Sequence, residues 1–325
     1  MKIAIAGSGM IAGRAVKALA QVPGAEVAAV FARPHSAEKA AALAAEAGGC
    51  PVYTDFGQML AKAEADFVYI GLVNSAHYAY AKQALEAGFN VICEKPLCVT
   101  LAQAQEIAAI AREKGLMLLE AATTLHMPNF KALCEQLPRI GRIHLVQGCY
   151  CQYSSRYDRY LRGEIQPVFD PALAGGCLMD INCYLMNLLV GLFGAPKAVS
   201  YSANRGFNGI DTSGTVVLGY DGMTAVASAA KDSSGPSSIV IAGEKGWILI
   251  DDSPNFLRHF TVHTKDGDER FELNRYADKM VHEFIEFKEI LESDDRDAMN
   301  KWLDVSLEVM EVLDKARADA GIEFS

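Results

Sequence analysis

A chain of 325 residues is long enough for two domains, and its 51% apolar and 22% charged residues are ordinary for a soluble globular protein. A net charge of −10 argues against nucleic acid as a partner, which would need a basic face, and no apolar stretch reads as a membrane span. Eight scattered cysteines without CxxC or finger spacing read as reduced thiols of a cytoplasmic protein, with no metal site.

The first 121 residues alternate short apolar runs with alanine-rich helical stretches. Strands are expected over Lys2–Ala6, Glu26–Phe31, Asp66–Leu72, Asn90–Cys93 and Leu116–Glu120. Helices are expected over Met10–Ala20, Ala37–Ala47, Ala76–Ala87 and Leu101–Lys114. This alternation predicts a Rossmann-type, doubly wound parallel sheet in a domain spanning 1–121. The unbroken run Phe67-Val68-Tyr69-Ile70 suits a strand buried on both faces.

After the first strand comes Gly7-Ser8-Gly9-Met10-Ile11-Ala12, which matches G-x-G-x-x-G/A at a helix start. Gly7 permits the tight turn, Gly9 lets backbone approach a pyrophosphate, and Ala12 keeps helix and strand close. The helix N-terminus offers N–H groups and a positive dipole end to phosphate. An NAD site usually carries Asp or Glu at the carboxyl end of the second strand. Here that end reads Val30-Phe31-Ala32-Arg33. Arg33 either pairs with a 2′-phosphate or is a solvated surface arginine; the balance favours NADP, with NAD possible.

Gly71-Leu72-Val73-Asn74-Ser75-Ala76-His77 ends another strand at a ligand-facing position. Asn74 or Ser75 caps the next helix, and His77 either lies near the nicotinamide or bonds backbone. Glu94-Lys95-Pro96 then puts an ammonium group at the carboxyl edge of the same sheet, where ligands bind. Pro96 holds Lys95 extended. Glu94 either orients Lys95 or faces solvent. The glycine turn and this lysine together point to a nicotinamide-dependent oxidoreductase.

Beyond residue 122 the rhythm changes. A helix over Asn129–Gln136 precedes a long alternating strand, Arg142–Tyr153, on which Cys149 and Cys151 are not placed to bridge easily. A polar aromatic loop follows at 154–160, then an apolar helix, Cys177–Leu192. Six strands, Ala198–Ala203, Thr212–Tyr220, Met223–Ala230, Ser238–Ala242, Trp247–Ile250 and Phe260–His263, lead to closing helices over Tyr276–Leu291 and Met299–Ala316. This half, 122–325, reads as an α+β substrate-binding and oligomerisation domain with a large, open, mainly antiparallel sheet. Asp180, Tyr184 and Asn187 share a stripe of the apolar helix at i, i+4 and i+7. A buried carboxylate needs a partner, so the stripe faces polar groups or a wet cavity unless Asp180 is a cap and Tyr184 a core aromatic.

The chain resembles the glucose–fructose oxidoreductase/inositol dehydrogenase (Gfo/Idh/MocA) family over nearly its full length. The resemblance rests on Gly7–Ala12, Glu94-Lys95-Pro96, Glu120-Ala121 and Gly175-Gly176-Cys177-Leu178-Met179-Asp180 followed by Tyr184, in that order. It is strongest to the dihydrodiol dehydrogenase and NADP-dependent xylose dehydrogenase branch, which also favours an Ala-Arg pair such as Ala32-Arg33. The resemblance implies catalysis by Lys95, Asp180 and Tyr184. Hydride would pass between nicotinamide and a sugar, polyol or related diol, with Tyr184 exchanging a proton beside the Lys95 ammonium. His126, Arg156, Tyr157 and Arg159 are candidate substrate contacts, with Asn187 beside them; equally, the 154–160 loop is an ordinary solvated connection. The chain departs from the family at Val73, where proline is frequent, at Thr123-Thr124, where an arginine commonly follows Glu-Ala, and at Asn182, in place of glycine. A homodimer or homotetramer is expected through the open sheet face. The alternatives are a non-catalytic dinucleotide sensor on the same fold and a reductase of cyclic imines or tetrapyrroles.

Overall fold

The computed structural model describes residues 1–324, and the chain divides into two compact units. The first comprises Met1–Ala121 with Asp278–Leu307; the second comprises Ala122–Ala277 and the chain from Glu308 onward. The stretch 278–307, read from the sequence as part of a domain spanning 122–325, therefore belongs to the first unit.

The first unit begins with β1 (Lys2–Ala6), α1 (Met10–Leu19), β2 (Glu26–Phe31), α2 (Ala37–Glu46), β3 (Val52–Tyr53), α3 (Phe56–Lys62) and β4 (Phe67–Ile70). It continues through α4 (His77–Glu86), β5 (Asn90–Glu94), α5 (Leu101–Lys114) and β6 (Leu118–Ala121). The strands form a parallel sheet in the order β3-β2-β1-β4-β5-β6. Ile3, Ile5, Val68 and Ile70 are fully buried, each contributing roughly 1.5–3 kcal/mol of apolar burial. The order reverses between β1 and β4, the switch point beside which such sheets bind ligands. β3 and α3 are additions to the elements expected from sequence; Asp55 caps α3 by accepting from Gln58 N at 2.7 Å.

The second unit starts with α6 (Pro128–Gln136), β7 (Ile143–Cys151), α7 (Tyr157–Leu161) and α8 (Cys183–Phe193). It continues with β8 (Ala198–Arg205), β9 (Asp211–Tyr220), β10 (Met223–Ala230), β11 (Ser238–Gly243), β12 (Gly246–Ile250), β13 (Phe260–Thr264) and β14 (Gly267–Phe271). These eight strands form one sheet, β14-β13-β12-β11-β7-β10-β9-β8, antiparallel except where β7 runs parallel to β10. Cys149 and Cys151 are both thiols, and their shared face of β7 brings the sulfurs to 3.4 Å. The 154–160 stretch, expected as a loop, contains the short helix α7.

Two expectations about the apolar helix need correction. The 23-residue stretch Pro171–Phe193 has the length and composition of a membrane span, but most of it is buried within the protein, which accounts for its apolarity. The helix also opens as a π turn, Leu178–Asn182, ahead of α8. Its i→i+5 bonding widens the chain at Asp180, so Asp180, Tyr184 and Asn187 do not form one α-helical stripe.

Finally, α9 (Lys279–Ser293) belongs to the first unit, where the Phe284 ring lies 5.9 Å from that of Tyr69 on β4. The last helix, α10 (Arg296–Ala320), contributes its start to the first unit and its remainder to the second.

Candidate active site

In the first unit, the turn between β1 and α1 is set by backbone. Gly7 has φ +139°, and a Cβ there would collide with the Gly71 carbonyl. Its N–H donates to Phe31 O at 2.9 Å, so the turn is pinned between the ends of β2 and β4. Gly9 precedes α1 in extended conformation with no side-chain cap, and the first turn carries no acidic residue. A Cβ on Gly9 would meet nothing within 4 Å. These features fit a dinucleotide pyrophosphate: uncapped N–H groups, a positive helix end and open space above the glycine. Ala12 is fully buried against the sheet, Ile11 is half-buried and Met10 is exposed.

Ala32 is buried at the end of β2, and Arg33 beside it is exposed, with no ion-pair partner among the described residues. Leu72 and Asn74 are half-buried past the end of β4. His77 is fully buried, and its ring spans two carbonyls: Nδ1 lies 2.8 Å from Pro96 O and Nε2 lies 3.2 Å from Leu72 O. Burial holds its pKa down, and the ring, whose single N–H when neutral serves one of the two carbonyls, lies between the segment after β4 and the segment after β5. The backbone bonds expected for this histidine are present.

Lys95 is half-buried just past β5, and its peptide bond to Pro96 is cis. Glu94 lies inward, accepting from the Tyr69 hydroxyl at 2.5 Å and from Lys95 N at 3.3 Å. Burial raises the Glu94 pKa, while Tyr69, Lys95 and Lys279 pull it back. Glu120 accepts from Leu97 N at 2.9 Å, and burial pushes its carboxyl up to about 7. From α9 come Lys279, lowered to about 8 by burial and by the charges of Lys95 and Arg14, and Glu283. Glu283 is fully buried with neither carboxyl oxygen hydrogen-bonded, and burial holds it well above the usual carboxylate range. Lys95 therefore stands over a layer of buried acids, part of which comes from residues almost two hundred positions later. Sequence reading found Glu94 and Lys95 but missed Lys279 and Glu283. Their signal was a charged pair, i and i+4, on a helix face that also carries His282 and Glu286 among its apolar residues.

In the second unit, Asp180 is about one-third exposed, and its Oδ2 accepts from Lys231 Nζ at 2.5 Å. Lys231, missed from sequence, follows β10 and is almost completely buried. Asp211, also missed, accepts from Leu178 N at 2.6 Å and from the Tyr201 hydroxyl at 2.7 Å, bracing the π turn. Gly176 has φ +102°, and a Cβ there would collide with the Asp211 carboxylate. Tyr184 is half-buried, its ring 6.2 Å from that of Tyr150. Asn187 is buried and donates to Cys183 O on its own helix at 2.9 Å. His126 is buried in the turn Thr123–His126. Arg156 is half-buried before α7, and Tyr157 packs 5.7 Å from the Phe169 ring. Arg159 pairs with Glu164 at 2.8 Å.

Residues 1–122 match the model of the oxidoreductase family with an NAD-binding Rossmann fold, and residues 136–249 match the Gfo/Idh/MocA C-terminal domain. The scyllo-inositol 2-dehydrogenase (NADP(+)) IolU of Bacillus subtilis is 33% identical over 100% of this chain and 98% of its own. The chain belongs to the Gfo/Idh/MocA family. Another relative in the family, a D-xylose 1-dehydrogenase (NADP(+)) of Haloferax volcanii, is 30% identical over 69% of this chain and 68% of its own. The 3-ketoreductase KijD10 of Actinomadura kijaniata, solved with NADP and TDP-benzene, shares the fold at a TM-score of 0.85 with 24% identity, over 98% of this chain and 97% of its own. As a Gfo/Idh/MocA protein, the chain is an NAD(P)-dependent oxidoreductase.

Proposed function

We propose that the protein is an NADP-preferring dehydrogenase of a sugar, polyol or related diol, with Lys95, Asp180 and Tyr184 as its catalytic residues. The observation that carries this reading is the carboxyl edge of the first unit's sheet. The uncapped glycine turn after β1 and Lys95 after β5 both lie on that edge, either side of the end of β4.

When bound, the nicotinamide supplies or accepts the hydride. The turn Gly7–Ala12 holds the pyrophosphate on backbone N–H groups, and Arg33 pairs with the 2′-phosphate. Leu72, Asn74, Glu94 and Lys95 complete the cofactor-facing edge, with His77 fixing their backbone from behind. Lys95 donates a hydrogen bond to the substrate oxygen and Tyr184 exchanges its proton; the reverse division is equally consistent with the residues. Asp180, anchored by Lys231, orients the substrate hydroxyl. His126, Arg156 and Tyr157 are the proposed substrate contacts. Asn187, which bonds its own helix, supports α8.

The partly exposed face of the eight-stranded sheet carries Leu145, Val217 and Trp247, which suits a homodimer or homotetramer. Eight cysteines outside any disulfide suit a reducing cytoplasm.

The test is a panel of scyllo-inositol, D-xylose and trans-1,2-dihydrobenzene-1,2-diol, each offered with NADP+ and with NAD+ and followed by nicotinamide absorbance. Turnover with at least one, faster with NADP+, is expected. No turnover with any substrate and either cofactor would remove the substrate-class assignment.

A further inference from the structure

An ammonium group buried as deeply as that of Lys231 is costly unless it is paired and hydrogen-bonded. Three groups meet that requirement. Asp180 Oδ2 accepts at 2.5 Å, Val168 O accepts at 2.9 Å, and the face of Phe169 lies 4.6 Å from the nitrogen. The Lys231 backbone is fixed as well: its N–H donates to Thr212 O and its carbonyl accepts from Ser154 N, both at 2.8 Å. The neighbouring Asp232 turns instead to the hydroxyls of Thr212 and Ser213, at 2.7 and 2.8 Å.

The two halves of the ion pair differ in exposure. The cation has 2% of its side chain accessible, and the anion 29%. Solvent therefore reaches the carboxylate and not the lysine. The π turn that carries Asp180 is held at its start by Asp211 and led into by an α-type bond, Asp180 N donating to Gly176 O at 3.1 Å. Backbone constraints thus place the residue, and Lys231 aims its carboxylate.

We infer that Lys231 is a positioning residue for the reaction, holding the Asp180 carboxylate in one orientation from behind and acting only through it. This rests on the proposed role of Asp180 in turnover. Lys231 also joins two segments to that carboxylate: the turn bearing Phe169, and the segment beginning at Ser154 that carries Arg156 and Tyr157. A substrate contact made there is therefore tied to the orientation of Asp180.

The experiment is a double-mutant cycle of wild type, Lys231→Met, Asp180→Asn and the double variant. Measured quantities are kcat and KM with the best substrate of the panel, NADPH affinity by fluorescence titration, and melting temperature. Lys231→Met should lower kcat by about ten- to a hundredfold, the loss typical of a group that orients another, with NADPH affinity unchanged. In the Asp180→Asn background the same change should cost less than about twofold, because its target is already gone. Lys231→Arg keeps the cation and should retain most of the turnover. Losses that multiply across the cycle would overturn the proposal while leaving Asp180 in the reaction, as would full turnover in Lys231→Met. Full turnover in Asp180→Asn would remove the reading of Asp180 and this proposal with it. If Lys231→Met does not fold, the double variant, which buries neither charge, is compared with Asp180→Asn to decide the same point.

Discussion

Under the proposed function, Arg33 is the residue on which cofactor choice turns. Its guanidinium is exposed beside the end of β2, where a carboxylate would otherwise select a ribose hydroxyl. A charge-assisted bond to a 2′-phosphate contributes about 1.5–3 kcal/mol. Arg33→Ala should therefore weaken NADPH by roughly ten- to a hundredfold and leave NADH nearly unchanged; equal losses in a binding titration would refute the assignment. Arg33, Gly7, Gly9 and Lys95 were legible in the sequence because each sits at a fixed offset from a recognisable strand end. Lys231 was not. Its partner lies 51 positions earlier, and nothing local distinguishes Lys231-Asp232 from an ordinary polar strand end.

Among the elements, the π turn Leu178–Asn182 carries Asp180, the proposed substrate-orienting residue. Periodicity marked an apolar helix here but assumed α geometry from its first residue. The departure depends on a distant group: Asp211, which takes up the N–H of Leu178 and the hydroxyl of Tyr201. Asp211→Ala leaves both donors buried without an acceptor, at a cost of about 2–4 kcal/mol, and Asp211→Asn, which keeps one acceptor, should cost less. Urea unfolding checks both; an Asp211→Ala variant as stable as wild type would mean that the π turn stands without its brace. The return of α9 to the first unit was illegible for a similar reason. Its apolar face reads as core, but the sequence does not say whose core. Only the buried contacts of Phe284, Lys279 and Glu283 with the first unit's residues decide it. The two-residue strand β3 is too short to leave a periodic signal.

For the molecule as a whole, buried acids make stability depend on pH. Glu120 titrates near 4.3 in an unfolded chain and at about 7 in the folded one, so the folded state holds the extra proton between these values. Its contribution is fully present below the lower value and is lost as pH rises through the upper one, a change of up to roughly 3–4 kcal/mol. Denaturation from pH 5 to pH 8 should show this decline in wild type and a flatter profile in Glu120→Gln; parallel profiles would place the titration elsewhere. The proposed assembly is tested at the same scale. Trp247→Glu puts a charge on the apolar sheet face and should shift the protein towards monomer in light scattering, whereas an unchanged mass would direct attention to another surface. Overall topology was largely legible, since strand and helix periods alternate cleanly before Ala121 and strands dominate afterwards. The central claim concerns chemistry, and Lys95 tests it most directly. Turnover and NADPH affinity are measured for Lys95→Met beside wild type, with the best substrate of the panel. In Lys95→Met, kcat should fall by about 10²–10⁴-fold while NADPH still binds with nearly its original affinity. Turnover close to wild type in that variant would contradict it.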